Sequence, residues 1–219
     1  MSDQPAPQVA RIHPTAIIEP EVEIGPGTAV WDHVHIRGPA RIGSDCIVGE
    51  KTYIAYGVTI GNLVKINAQV YICTGVTIED RVMIAAGVIF TNDRYPRAFA
   101  ADGTLADSGP TDDTLHTTVC EGTTLGAGAV IGPGLVIGRY AMVGMGAVVT
   151  GDVPAHALVV GNPARVKGYV CVCGTPLADA KGSGQAGGSS ARCTHCRQPY
   201  QVLDDGHPVM TPGFSSSQP

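Results

Sequence analysis

The chain has 219 residues, 29 of them glycine, with 15% charged residues and a formal net charge of −5. An acidic balance argues against a nucleic-acid partner, because phosphate-backbone binding leaves a basic footprint. There is no run of about 18 apolar residues to cross a membrane, and seven cysteines cannot all pair, so a cytoplasmic, reducing location without a membrane partner is expected.

Met1 to Arg11 is polar and proline-bearing, with no apolar signal core. From Ile12 onward a large aliphatic residue or Phe recurs at every sixth position for fourteen steps, through Ile18, Ile24 and Val30 to Ile84 and Phe90. The phase lapses from Thr91 to Thr118 and resumes as Val119, Leu125, Ile131, Ile137, Val143 and Val149. The fourth residue after each aliphatic is mostly small or branched, as at Ala16, Val22, Thr28, Val34, Ala40, Cys46 and Thr52, so both positions are expected to face one narrow interior. Glycine often follows the aliphatic directly, as at Gly25, Gly43, Gly49 and Gly126, where corners are expected to need backbone angles that other residues reach at a cost. A period of six is neither helical nor that of a flat strand. It predicts an all-β fold: a three-sided parallel β-solenoid over 1–168, three hexads to a coil, between six and seven coils long. Its inner space is filled by its own side chains, so any chemistry must lie outside.

The interruption at 91–118 is longer than a connection between coils requires, and loops of that length carry function or are disordered. Beyond the repeats, 169–212 holds two close cysteine pairs, Cys171 with Cys173 and Cys193 with Cys196, resembling the knuckles of a zinc ribbon. The first pair is Cys-x-Cys rather than Cys-x-x-Cys, which leaves room for His195 as a ligand or for an unmetallated tail. Four thiolates would make the zinc structural, since no position stays open for water. Lys181 to Ser190 reads as a flexible loop, and 213–219 as a disordered end.

The uninterrupted hexads resemble those of the left-handed β-helix acyltransferases, and the left hand is implied by that resemblance alone. Several motifs narrow it: Phe90-Thr91-Asn92 with Pro96-Arg97, Val64-Lys65-Ile66-Asn67, Ile78-Glu79-Asp80-Arg81-Val82, Val30-Trp31 with His35-Ile36, and Ala157 to Ala164. Together these are similar to the nucleotide-sugar 3-N-acetyltransferase family, above all to bacterial enzymes making UDP-linked 2,3-diacetamido-2,3-dideoxyglucuronic acid for surface polysaccharide. Enzymes acting on dTDP-3-amino sugars come next. The family pattern has Lys-Ile-Gln-Asn where this chain has Lys65-Ile66-Asn67-Ala68, and Gly-Pro at Ala85-Ala86.

The resemblance implies acetyl transfer from acetyl-CoA to a sugar amine, in a homotrimer with sites between subunits. A sugar amine near electron-withdrawing oxygens titrates around the α-amino value, about pH 8, so part of it is already nucleophilic and a strong base is optional. Asn92 is the candidate to hold the amine through its side-chain carbonyl, or else it supports the loop turn. Arg94 and Arg97 suit a diphosphate or carboxylate, with His35, Lys65 and Asn67 as further substrate-groove candidates. Asn162, Arg165 and Lys167 fall where relatives hold CoA. His116, after Asp112 and Asp113, would be the base of a competing O-acetyltransferase. His13, His33 and His156 read as solvent-facing corners. A γ-carbonic anhydrase needs three histidines on adjoining subunits, and none occurs from 36 to 115. A non-catalytic solenoid scaffold is the reading from another class.

Overall fold

A computed structural model describes residues 9–106, 109, 114–177, 189–202 and 208–210. The expectations for Asp112, Asp113, residues 181–188 and 213–219 lie outside the described residues. Short strands of two or three residues, each followed by a corner, stack in parallel on the strand eighteen residues away: Arg11 faces Ala29, His35 faces Tyr53, and Thr59 faces Thr77. Eighteen is three hexads, so each coil has three sides. Among the described residues the strands form a nine-, a seven- and a six-stranded sheet, with no helix. Across the insertion the partners are forty-one residues apart, Val76 with Thr117 and Ile89 with Val130, so the interruption leaves the stacking register intact.

Ile36, Ile54, Ile72, Phe90, Ile131 and Val149 stand in one inward row, and the small residues expected opposite them are buried as well. Buried threonines have partners: Thr28 donates to Gly43 O at 2.8 Å and Thr123 to Gly138 O at 2.9 Å. The first coil is the exception: Ile12 is 46% exposed and Ile18 and Ile24 are half-buried, because each stands on the end strand of its sheet and is covered from one side only.

The glycines that follow the aliphatics are there for a different reason from the one expected. They do not have positive φ; a Cβ at Gly25 would stand 2.6 Å from the carbonyl carbon of Gly43, and one at Gly49 2.6 Å from that of Asn67. Close approach of the next coil selects them. The left-handed corner lies at the third residue after the aliphatic, taken by glycine at Gly27, Gly87 and Gly128 and by His33, Lys51, Gln69 and Arg81 elsewhere.

The outer faces differ. One sheet shows Glu23, Arg41, Thr59, Thr77 and Thr118 outward, with Val136 at its end, whereas the other two present Ile47, Met83, Tyr53, Tyr71 and Ile89. Parallel stacking ends when Ala157–Val160 pairs antiparallel with Arg165–Tyr169. Beyond it, Ser189–Arg192, Pro199–Val202 and Pro208–Met210 form a small antiparallel sheet.

Candidate functional site

The insertion leaves the solenoid after strand Ile89–Phe90 and returns at Thr117–Val119, so its two limbs spring from one corner of one coil. Thr91 is pinned there: its amide and hydroxyl both donate to Ile131 O, at 3.0 and 3.1 Å. Asn92 is therefore the first residue free of the stacking ladder, and it is half-buried. His116, on the returning limb, is exposed beside Gly75, whose carbonyl accepts the Thr117 amide. Cys73 lies in the coil below, where burial pushes its thiol up to about 11, too high for a nucleophile at neutral pH.

Arg94 and Arg97 are exposed on the outgoing limb, with Arg97 donating to Pro96 O. The limb then forms a small hairpin, in which Phe99 bridges Leu105 and Asp102 accepts from the Thr104 hydroxyl. Tyr95, Phe99 and Leu105 are strongly exposed on it.

His35 stands on the same sheet as Phe90 but three coils away, about 14 Å along the face at ~4.8 Å per coil. Its Nε2 is 2.9 Å from Glu19 Oε1, and that hydrogen bond, with the Gly38 amide and Arg37, holds the Glu19 carboxyl below its ordinary value. His35 is edge-on to Tyr53, which stacks on Tyr71. Lys65 is on the neighbouring sheet, exposed between Ile47 and Met83. Asn67 lies at the corner between these two sheets, in a groove of about 330 Å³ lined by Trp31, Ile47, Gly49, Glu50, Ala68 and Ala86 among others. That groove includes neither Asn92 nor His35. The substrate-binding candidates of one chain are thus spread over two faces and two corners. Ala68 and Ala86, two of the departures from the family pattern, line the same groove. Trp31 and Glu50 were not singled out as site residues, although residues eighteen apart share a corner and Trp31, Gly49 and Asn67 keep that interval.

Asn162 is in the turn between the last two solenoid strands, and Arg165 and Lys167 are exposed on strand Arg165–Tyr169. A few residues on, Cys171, Cys173, Cys193 and Cys196 converge, their sulfurs all within 4.8 Å of one another. Tetrahedral thiolates at ~2.3 Å from zinc lie ~3.8 Å apart, so the set fits the metal. The two pairs close with matching bonds, the first loop one residue tighter. Gly174 N donates to Cys171 O and Cys171 N to Thr175 O; equally, Arg197 N donates to Cys193 O and Cys193 N to Gln198 O. In each, the residue after the second cysteine has positive φ, Gly174 at 83° and Arg197 at 66°. The shorter spacing is therefore accommodated, and His195 is exposed and outside the cluster.

His156 does not face solvent: it is 6% exposed, stacked on Tyr140 and edge-on to Tyr200, with Nδ1 3.0 Å from Val170 O. His13 and His33 are exposed as expected, both bonded to the Thr15 hydroxyl.

The bacterial transferase hexapeptide (six repeats) model matches residues 21–56, 57–92 and 116–151. Over 32 residues the chain is 62% identical to a dTDP-3-amino-3,6-dideoxy-alpha-D-galactopyranose 3-N-acetyltransferase of Aneurinibacillus thermoaerophilus, a stretch covering 15% of this chain and 17% of that protein. Over 35 residues it is 51% identical to an acyl-[acyl-carrier-protein]–UDP-N-acetylglucosamine O-acyltransferase of Brucella ovis, covering 16% of this chain and 13% of that protein. A crystal structure of PerB from Caulobacter crescentus, in complex with CoA and GDP-perosamine, is 26% identical with a TM-score of 0.44, over 74% of this chain and 58% of that one. The chain thus spans a small part of the curated relatives it matches.

Proposed function

We propose, from the premise that this chain belongs to the bacterial transferase hexapeptide family, that it is an acetyl-CoA-dependent N-acetyltransferase acting on the 3-amino group of a nucleotide-linked amino sugar. The observation that carries this is the 62% identity over 32 residues to a dTDP-3-amino-sugar 3-N-acetyltransferase. The motifs resembling the UDP-2-acetamido-3-amino-2,3-dideoxyglucuronate enzymes favour that substrate, in surface polysaccharide biosynthesis, with a dTDP-3-amino sugar as the alternative. The same family membership supports the left hand of the solenoid, and its chemistry supports a cytoplasmic setting where acetyl-CoA is available.

In this scheme Asn92 holds the amine, through its side-chain carbonyl, for attack on the thioester carbon. Backbone N–H groups stabilise the oxyanion, and the departing CoA thiolate takes the proton. Arg94 and Arg97 meet the diphosphate or a uronate carboxylate, and His35, Lys65 and Asn67 orient the sugar nucleotide. Asn162, Arg165 and Lys167 bind CoA. The spread of these residues over two faces favours a C3 homotrimer in which the insertion of one subunit meets the groove of the next. Cys171, Cys173, Cys193 and Cys196 hold a structural zinc.

O-acetylation is the second reading, favoured by the position of His116 on the returning limb of the same insertion and by the O-acyltransferase among the relatives. Product analysis separates the two. After incubation with acetyl-CoA and a 3-amino sugar nucleotide, NMR should show an amide at C3, whereas an ester on a ring hydroxyl would overturn N-acetylation.

A further inference from the structure

Strand Arg165–Tyr169 is held on one edge only, by its pairing with Ala157–Val160, and nothing packs over most of its length. Arg165, Val166 and Lys167 all point into solvent, and it is the last strand of its sheet. A short edge strand with an exposed face is held by one row of backbone bonds and by whatever anchors its ends. Its N-terminal end is tied to the solenoid through the preceding turn, where Ala164 N donates to Val148 O at 2.8 Å and Val148 N to Gly161 O at 3.0 Å. Its C-terminal end runs into the cysteine module: Tyr169 packs against both the solenoid core and the small core of Cys171, Leu177, Ala191, Cys193 and Tyr200.

The contact between module and solenoid is built from complementary groups. Val170 N donates to His156 O at 2.8 Å while His156 Nδ1 meets Val170 O at 3.0 Å. The His156 ring lies between Tyr140 of the last coils and Tyr200 of the tail. The Tyr200 hydroxyl accepts the Val172 amide at 2.9 Å and donates to Cys171 Sγ at 3.1 Å. A chain of direct contacts therefore runs from the sulfur cluster through Tyr200 and His156 to the solenoid. Among the described residues the small core has five buried members, two of them cysteines of the cluster. A core that size does not stand alone without a metal or an equivalent staple.

We propose that the metal-loaded four-cysteine module is a latch that fixes strand Arg165–Tyr169, and with it Arg165 and Lys167, against the last coil of the solenoid. For acyl-CoA this makes the module a positioning device: metal at the sulfurs sets the affinity of the site to which Arg165 and Lys167 are assigned. That last step rests on the function proposed above; the latch itself does not.

The test is hydrogen exchange on the zinc-loaded full chain, before and after chelation, and again after zinc alone is added back. Amides of 165–172 should exchange at least about tenfold faster without metal and recover with zinc, while those of the middle coils, such as 54–72, stay unchanged. Tyr200→Phe, which keeps all four sulfurs, should retain zinc yet show part of the same acceleration. Unchanged exchange at 165–172 after complete zinc removal would overturn the latch. Direct titration with CoA should show affinity falling about three- to thirtyfold on chelation, the range of one or two phosphate contacts, with sugar-nucleotide affinity unmoved. Faster exchange with unaltered CoA affinity would overturn the assignment of Arg165 and Lys167 to CoA and leave the latch standing.

Discussion

Asn92 is the first residue past the pinned Thr91, so its amide is positioned by the ladder without being spent on it. Asn92→Ala should lower kcat by roughly ten- to a thousandfold, the scale of one lost positioning or polar transition-state contact, with little change in substrate KM. His116→Ala, on the returning limb, should stay within about threefold of wild type, because a sugar amine near pH 8 supplies its own free base. Steady-state kinetics on the two variants checks both, and an active Asn92→Ala beside an inactive, folded His116→Ala would transfer the chemistry to a histidine base. His156 gives a pH prediction. Burial lowers its pKa from the ordinary 6.5 despite the hydrogen bond to Val170 O, so the folded protein binds fewer protons there than the unfolded chain. Its contribution is complete above about pH 6.5 and declines as pH falls through that value toward the lowered one. Thermal melting between pH 7.5 and 5.5 should therefore show a steeper loss for wild type than for His156→Phe, which has no proton to gain.

At the scale of the element, the hexad has two glycine sites with different causes, and substitution distinguishes them. At Gly49 an added Cβ meets the backbone of the next coil at 2.6 Å, so Gly49→Ala should cost about 3 kcal/mol or more. Gly128 has φ of +67° and nothing within 4 Å, so Gly128→Ala should cost only the left-handed penalty, about 1–2 kcal/mol. Chemical denaturation that ranked them in the opposite order would contradict this account of the corners. The sequence carried the period, the inward rows and the place of the insertion, because each repeats or breaks at a fixed interval. It could not show which glycine turns the chain, since stacking distance and backbone angle leave the same residue type behind. His156 reads in the sequence as a solvent-facing corner for a related reason: the partners that bury it, Tyr140, Val170 and Tyr200, share no interval with it. The cysteine pairs were legible as a set, and the tighter first loop became intelligible only through its bonds, which repeat those of the second.

For the whole molecule, one prism spreads its substrate-binding candidates over two faces and two corners, and two of its three faces carry apolar side chains outward. The exposed Tyr95, Phe99 and Leu105 on the insertion add an apolar tip beyond the prism. Trimer formation would cover these surfaces and bring the insertion of one copy to the groove of another. Light scattering at micromolar concentration should give three times the chain mass, and a fully active monomer would contradict the shared site. The central claim is acetyl transfer to a nucleotide-linked amino sugar, and release of free CoA thiol tests it most directly. With acetyl-CoA and a panel of UDP- and dTDP-linked 3-amino sugars, thiol should appear only with a substrate bearing the free amine and should fall away with the 3-hydroxy counterpart. Equal release from the 3-hydroxy sugars, or none from any member of the panel, would contradict it.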